Sequence, residues 1–220
     1  TDLETNMFKI KIDETLFRLK PDFRRGLIIA IGMQNTGVDP SLEALLRSSC
    51  QEAALSPIDL ATDERVTKWT DTFSAYGWDI KRFAPAHLAL LKRVQRPATS
   101  FPFINKVVAA MNLTSIQSVL PVGADDLTQV ASLGKELELR TATGEESFLP
   151  LGKPEQNERP DPGEIILAVN GTVCCRRWCW RNGHLTRITE ATTALDRKAG
   201  HFNASDLPCR ELRARGSYYN

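Results

Sequence analysis

The sequence predicts an α+β fold, on three observations. Helical periodicity dominates the first half of the 220-residue chain, and strand-like runs dominate the second. Asn170-Gly171 then joins two apolar runs, the signature of a type I′ hairpin turn, whose two central residues both need positive φ. Segregated helices and strands of this kind suit sheets packed in layers against helices rather than a regular βαβ series.

Taken in order, residues 8–12 alternate apolar and basic side chains, as a half-buried strand does. Residues 27–31, between Gly26 and Gly32, read as a buried strand. Asp39-Pro40 starts a helix, with Asp39 as N-cap and Pro40 in the first helical position, and Leu42, Leu45 and Leu46 form its stripe. Val66, Trp69, Phe73 and Tyr76 are spaced by three and four, the apolar face of a helix that belongs to the core. Residues 86–94 make an amphipathic helix with a basic end. Residues 103–112 make another, with Ile104, Val107, Val108 and Met111 buried and Asn112 at its end. Strands follow at 138–141, 147–151, 164–169 and 172–180, with a shorter one at 186–189. Residues 153–163 are polar, carry three prolines and read as an exposed loop.

A hydrophobic content of 42% and a charged content of 25% leave ample material for one core, so the chain reads as a single domain over 1–220 with 216–220 frayed. The net charge of +1 demands no nucleic-acid partner, yet residues 176–220 hold nine basic against four acidic side chains, which permits a local phosphate-binding surface. Five irregularly spaced cysteines suit a reducing cytoplasm, and the longest apolar run is far too short to cross a bilayer. The absence of a leader pattern at the N-terminus agrees with a cytoplasmic protein.

The richest stretch for chemistry is Cys174-Cys175-Arg176-Arg177-Trp178-Cys179-Trp180-Arg181. Read as one strand, it sets Arg176, Trp178 and Trp180 on one face and Cys175, Arg177, Cys179 and Arg181 on the other. Arginines beside large rings suit a ligand that is anionic and stackable, as the end of an RNA strand is. The same pattern suits a hairpin with core tryptophans and a solvated arginine rim. Both readings stand at this level. Cys175 and Cys179 form one cysteine pair with no second pair to match it, so structural zinc is disfavoured.

The ordered signals are more telling than any one of them. Ile104-Asn105 with Val107-Val108, then Asn112, Leu120-Pro121-Val122-Gly123 with Asp126, Leu139-Arg140-Thr141-Ala142, Gly144-Glu145, Pro162-Gly163-Glu164 and Cys175-Arg176-Arg177-Trp178 together resemble the B3/B4 editing domain of the phenylalanyl-tRNA synthetase β subunit. The resemblance is closer to free-standing B3/B4-domain proteins and is most specific over 85–195, with Trp69, Tyr76 and Leu90-Leu91-Lys92-Arg93 fitting upstream. It implies a B3/B4-like α+β fold and a hydrolase that opens the ester between a wrong amino acid and tRNA. For some free-standing members it implies canavanyl-tRNA(Arg), canavanine being an oxyguanidine analogue of arginine. Where the synthetase version has a histidine, two residues after the proline matched by Pro121, this chain has Gly123, as the free-standing branch does. A histidine-based mechanism therefore does not transfer, and His87, His184 and His201 read as structural or solvated.

An aminoacyl ester is already activated, so hydrolysis needs a positioned water and oxyanion donors rather than a nucleophile. The expected catalytic residues are Asn112, whose amide can donate and accept, Gly123, which lets backbone N–H groups approach, and Asp126. Asp125, Glu145 and Glu190 are expected as partners of an amine or guanidinium, with Asn105 and Trp178 completing the substrate pocket. Arg176, Arg177 and Arg181 are expected to meet the tRNA, and Arg140 to be paired. Helix capping by Asn112, a turn cap by Asp126 and a solvated Glu145 are the plain alternatives. Aminoacyl-tRNA is the implied partner, with no cofactor, metal, membrane or DNA. A tRNA-binding module without chemistry is the rival from another class.

Overall fold

A computed structural model describes residues 9–96 and 101–202, and among these the expected α+β architecture is realised as two sheets and six helices. In chain order these are β1 (Lys9–Ile12), α1 (Glu14–Leu19), β2 (Phe23–Ile31), α2 (Pro40–Leu55), α3 (Glu64–Ala75), α4 (Ala86–Val94) and α5 (Lys106–Ser118). Then come β3 (Val122–Asp126), α6 (Leu127–Leu133), β4 (Glu136–Thr141), β5 (Ile165–Val169), β6 (Thr172–Arg176), β7 (Arg181–Asn182) and β8 (Ala194–Phe202). A five-stranded sheet runs β1-β4-β5-β6-β7, and a three-stranded sheet runs β2-β8-β3. Among the described strands only β1 and β4 pair in parallel, apart from an isolated parallel bridge between Ser147 and Thr172 of β6. No helix among the described residues is long and apolar enough to cross a membrane.

Local chemistry accounts for most helix starts. Asp39 accepts from the N–H groups of Ser41 and Leu42, with Pro40 opening α2, and Asp63 caps α3 through Arg65 N–H. The apolar stripe of α3 is core: Val66, Trp69 and Phe73 are all buried. The turn between β5 and β6 has φ of 44° at Asn170 and 78° at Gly171, the positive pair that a type I′ hairpin requires. One core packs α3 against the five-stranded sheet, and a second joins α2, α4 and α5.

Several expectations fail, each for a physical reason. The run 27–31 is a strand but not a buried one: β2 starts at Phe23, lies at a sheet edge, and leaves Ile31 64% exposed. The helix expected at 103–112 begins only at Lys106, because Asn105 caps it through Val108 N–H, and Ile104 is exposed. It runs on to Ser118 because Leu113 and Ile116 extend its buried face, so Asn112 sits in the helix interior rather than at its end. Residues 147–151 cross the ends of other segments and form only isolated bridges, from Ser147, Phe148 and Pro150. Residues 186–189 form no strand, because the Thr186 and Thr192 hydroxyls tie this stretch to Asp125 and Asp126. Residues 216–220 lie outside the described residues.

After β4 the chain is held by a buried carboxylate. Glu146 accepts from Arg140 and from the N–H groups of Thr143 and Gly144, which shows the expected pairing of Arg140. Burial alone would raise this carboxyl, but Arg140 and the backbone donors outweigh it and hold the pKa at about 2 instead of 4.5. A depressed carboxyl stabilises the fold above its ordinary value and loses that contribution as pH falls through the folded one. Melting temperature should therefore fall between about pH 4.5 and about pH 2, more steeply in the native chain than in Glu146→Gln. Glu146→Ala should cost about 2–3 kcal/mol in denaturant titrations at neutral pH, since several donors lose their acceptor.

Candidate functional site

The strand expected through residue 180 stops at Arg176, and an acidic cluster stops it. Glu164, wholly buried just before β5, accepts from Arg176 Nε and Nη2 at 2.8 Å each. The same carboxylate takes the backbone N–H of Arg177 at 3.2 Å and lies 3.2 Å from Arg177 Nη2. Glu158 joins Arg176 to Arg181, and Asp161 takes Arg177 Nη2 at 2.7 Å. The Arg177 guanidinium also lies 3.7 Å from the centroid of the Phe83 ring.

One carboxylate can grip two successive arginines only if the chain leaves the extended conformation. It does so with φ of 43° at Arg177 and 66° at Trp178, a left-handed pair without glycine that costs about 1–2 kcal/mol per residue. The Trp178 N–H donates to Ile165 O and the Trp180 N–H to Arg176 O, closing the turn. Strict alternation of Arg176, Arg177 and Trp178 between two faces is therefore corrected. Trp178 swings into a ring cluster, with centroids 4.9 Å from Phe23 and 6.0 Å from Trp69.

Beside this turn the two sheets enclose a cavity of about 350 Å³. The small sheet supplies Phe23 and Arg25 from β2 and Val122 and Gly123 from β3; the large sheet supplies Cys175, Arg181 and Asn182. Trp69, Ala86, Pro121, Leu151 and the turn residues Trp178, Cys179 and Trp180 complete the walls. A volume of this order suits a small molecule or one terminal unit of a larger one. The ionisable groups of the described lining are two arginines and two cysteines, without carboxylate or histidine. Burial pushes the Cys179 thiol well above its ordinary value, so it stays protonated and a poor nucleophile.

The backbone N–H groups of β3, which lends Val122 and Gly123 to the lining, alternate in direction. Asp125 N–H turns toward β8 and donates to Asp196 Oδ1, whereas Asp126 N–H turns away and donates to Thr186 O. Alternation along β3 then directs the N–H groups of Val122 and Ala124 to the open edge, and that of Gly123 toward β8.

A family model of the B3/4 domain matches residues 68–207, more than half of the chain. The chain belongs to the B3/4 domain family. Among solved structures this B3/4 protein is similar to an N-terminal fragment of the phenylalanyl-tRNA synthetase β subunit from Pyrococcus horikoshii. That likeness has a TM-score of 0.44 and 13% identity and covers 89% of this chain, which spans only 44% of the fragment. No curated protein matches the sequence.

Of the residues expected at the site, the B3/4 fold brings Gly123, Trp178 and Arg181 together at the cavity. The others lie outside its lining. Asn112 is half-buried within α5, and Asn105 is that helix's N-cap. Asp125 and Asp126 are the last two residues of β3. Asp125 is buried and accepts from Thr186 Oγ1, while Asp126 caps α6 through Thr128 and Gln129 N–H and accepts from Thr192 Oγ1. Glu145 is exposed beside Arg159, and Glu190 lies in an exposed turn. Arg176 and Arg177, expected on tRNA, are buried in the ion-pair cluster, where Arg177 meets acids through Nη2 while its Nε and Nη1 find no hydrogen-bond partner; Arg181 stays partly exposed. His87 is buried in the core, where burial lowers its pKa to about 4 and keeps it neutral.

Sequence reasoning missed Arg25 and Asn182 and read Trp69 as core alone. The signal for Arg25 was the two-residue spacing from Phe23, which sets both on one face of β2. Among the described residues no cluster of three or more His, Cys, Asp or Glu could hold a metal ion. Replacing Glu164 with alanine leaves two buried guanidinium groups short of their anion. The expected loss is about 3–5 kcal/mol in urea unfolding, accompanied by a shift in tryptophan emission as Trp178 leaves its ring cluster.

Proposed function

We propose that this B3/4 protein is a trans-editing hydrolase, a single domain that removes a wrong amino acid from tRNA. The observation that carries the reading is the cavity between the sheets, with aromatic walls and an arginine at its partly exposed rim. Stacking rings suit the terminal adenosine, and Arg181 suits the phosphate that precedes it. The open-edge N–H groups near Val122 supply oxyanion donors, and the Asn182 amide can hold a water or the ester carbonyl. Such a reaction belongs in the cytoplasm, where charged tRNA circulates.

The acyl group we consider first is canavanyl on tRNA(Arg). The described lining holds two arginines and no carboxylate, so a cationic side chain finds no counter-charge there. The lower basicity of an oxyguanidine lets it enter unprotonated, which the always-charged arginyl group cannot do. A second reading, binding of tRNA without chemistry, is favoured by the lack of a described lining group that could serve as a general base.

A panel of mischarged tRNAs separates the two. Hydrolysis of at least one ester is expected, and uniform inactivity with salt-sensitive tRNA binding selects the second reading. Asn182→Ala should lower kcat/KM by about tenfold or more, roughly 1.4 kcal/mol of transition-state stabilisation, with little change in melting temperature. Asn112→Ala, away from the cavity, should leave the rate unchanged.

A further inference from the structure

Of the two arginines in the described lining of the cavity, Arg181 is paired with Glu158, whereas Arg25 forms no ion pair among the described residues. Its Nε and Nη2 are buried and have no hydrogen-bond partner. Elsewhere in the core the fold handles guanidinium groups differently: Arg140, Arg176 and Arg177 each meet a carboxylate within 3.0 Å. A buried cation without such a partner is costly to keep, and nothing in β2 requires it, since Phe23 already anchors that end of the strand in the core.

The surroundings preserve the charge while leaving the donors open. Burial lowers the Arg25 pKa below its ordinary value, and the fields of Asp196 and Asp125 oppose that shift, so the group remains a cation. Neither acid lines the cavity. The registers of β2 and β3 on β8 set both acids on the same sheet face as Arg25, farther along it, and neither hydrogen-bonds its Nε or Nη2. Arg25 also lies deeper than Arg181, whose side chain is 30% exposed.

We propose that Arg25 is a ligand-binding residue, the inner anion site of the cavity, which takes an anionic oxygen group of the ligand and rejects a cationic one. This rests on the cavity being the ligand site. A planar guanidinium presents paired donors that match a carboxylate or a phosphate. The group comes from one of two sources, a phosphate of the terminal nucleotide or an acidic group on the acyl chain. The rings of Trp69 and Trp178 beside it hold the uncharged part of the ligand.

The cavity tryptophans make occupancy visible as a change in fluorescence. The full chain is titrated with adenosine, adenosine monophosphate, and amide analogues of alanyl-, aspartyl- and arginyl-adenosine that cannot be hydrolysed. One anionic probe should bind about tenfold or more tighter than its neutral counterpart: the monophosphate if the phosphate is the source, the aspartyl analogue if the acyl group is. The arginyl analogue should bind more weakly than the alanyl one. Arg25→Met should erase the preference, keep the neutral affinity and leave the melting temperature unchanged or higher, while Arg25→Lys keeps part of the preference. Equal affinity for charged and neutral probes, a preference that survives in Arg25→Met, or a lower melting temperature in that variant overturns the role of Arg25 and leaves the cavity reading intact. Failure of every probe to bind overturns the cavity reading and this inference together.

Discussion

The site depends on one buried carboxylate. Glu164 accepts from Arg176 through two parallel donors and from the backbone of Arg177, so the chain after β6 is pinned where a strand would otherwise continue. Two left-handed residues follow, Trp178 turns inward, and the cavity gains one of its walls. Ion pairs of this kind are poor sources of net stability, because desolvation offsets most of the attraction. Their use here is conformational. The bidentate geometry fixes a turn that neither glycine nor proline encodes.

Around that turn the labour is divided between the sheets. The five-stranded sheet carries the charge cluster and the tryptophan turn, where nearly every ionic group is matched. The small sheet contributes a group that is left incomplete, the Nε and Nη2 donors of Arg25. A matched half provides rigidity, and an unmatched half provides a place for a ligand to bind.

Features with a local cause were legible in the sequence. Asp39 with Pro40, the spacing of Val66, Trp69 and Phe73, and the Asn170-Gly171 turn each act within a few residues, and each appears as read. The misreadings share a long-range cause. Residues 172–180 look like a strand until Glu158 and Asp161 reach them from a loop whose polarity suggested only solvation, and Glu164 from the start of the run read as a strand. Asp125 and Asp126 looked available because the threonines that engage them lie about sixty residues away. Asn112 looked terminal because the polar residues after it hide the apolar stripe that continues α5. Apolar run and sheet edge are likewise indistinguishable at β2, where burial depends on whether a second neighbour exists.

The position of β8 bears on how the chain is made. This last strand lies between β2 and β3, so the two outer strands, both synthesised earlier, have no partner in their sheet until residues 194–202 leave the ribosome. Pairing Phe23 with Phe202 closes a loop of nearly the whole described chain, a slow kind of contact to form. The large sheet can assemble first, while β2 keeps unpaired backbone edges that invite self-association. A chain lacking β8 would therefore leave both outer strands unpaired and the cavity without the strand that joins its two small-sheet walls.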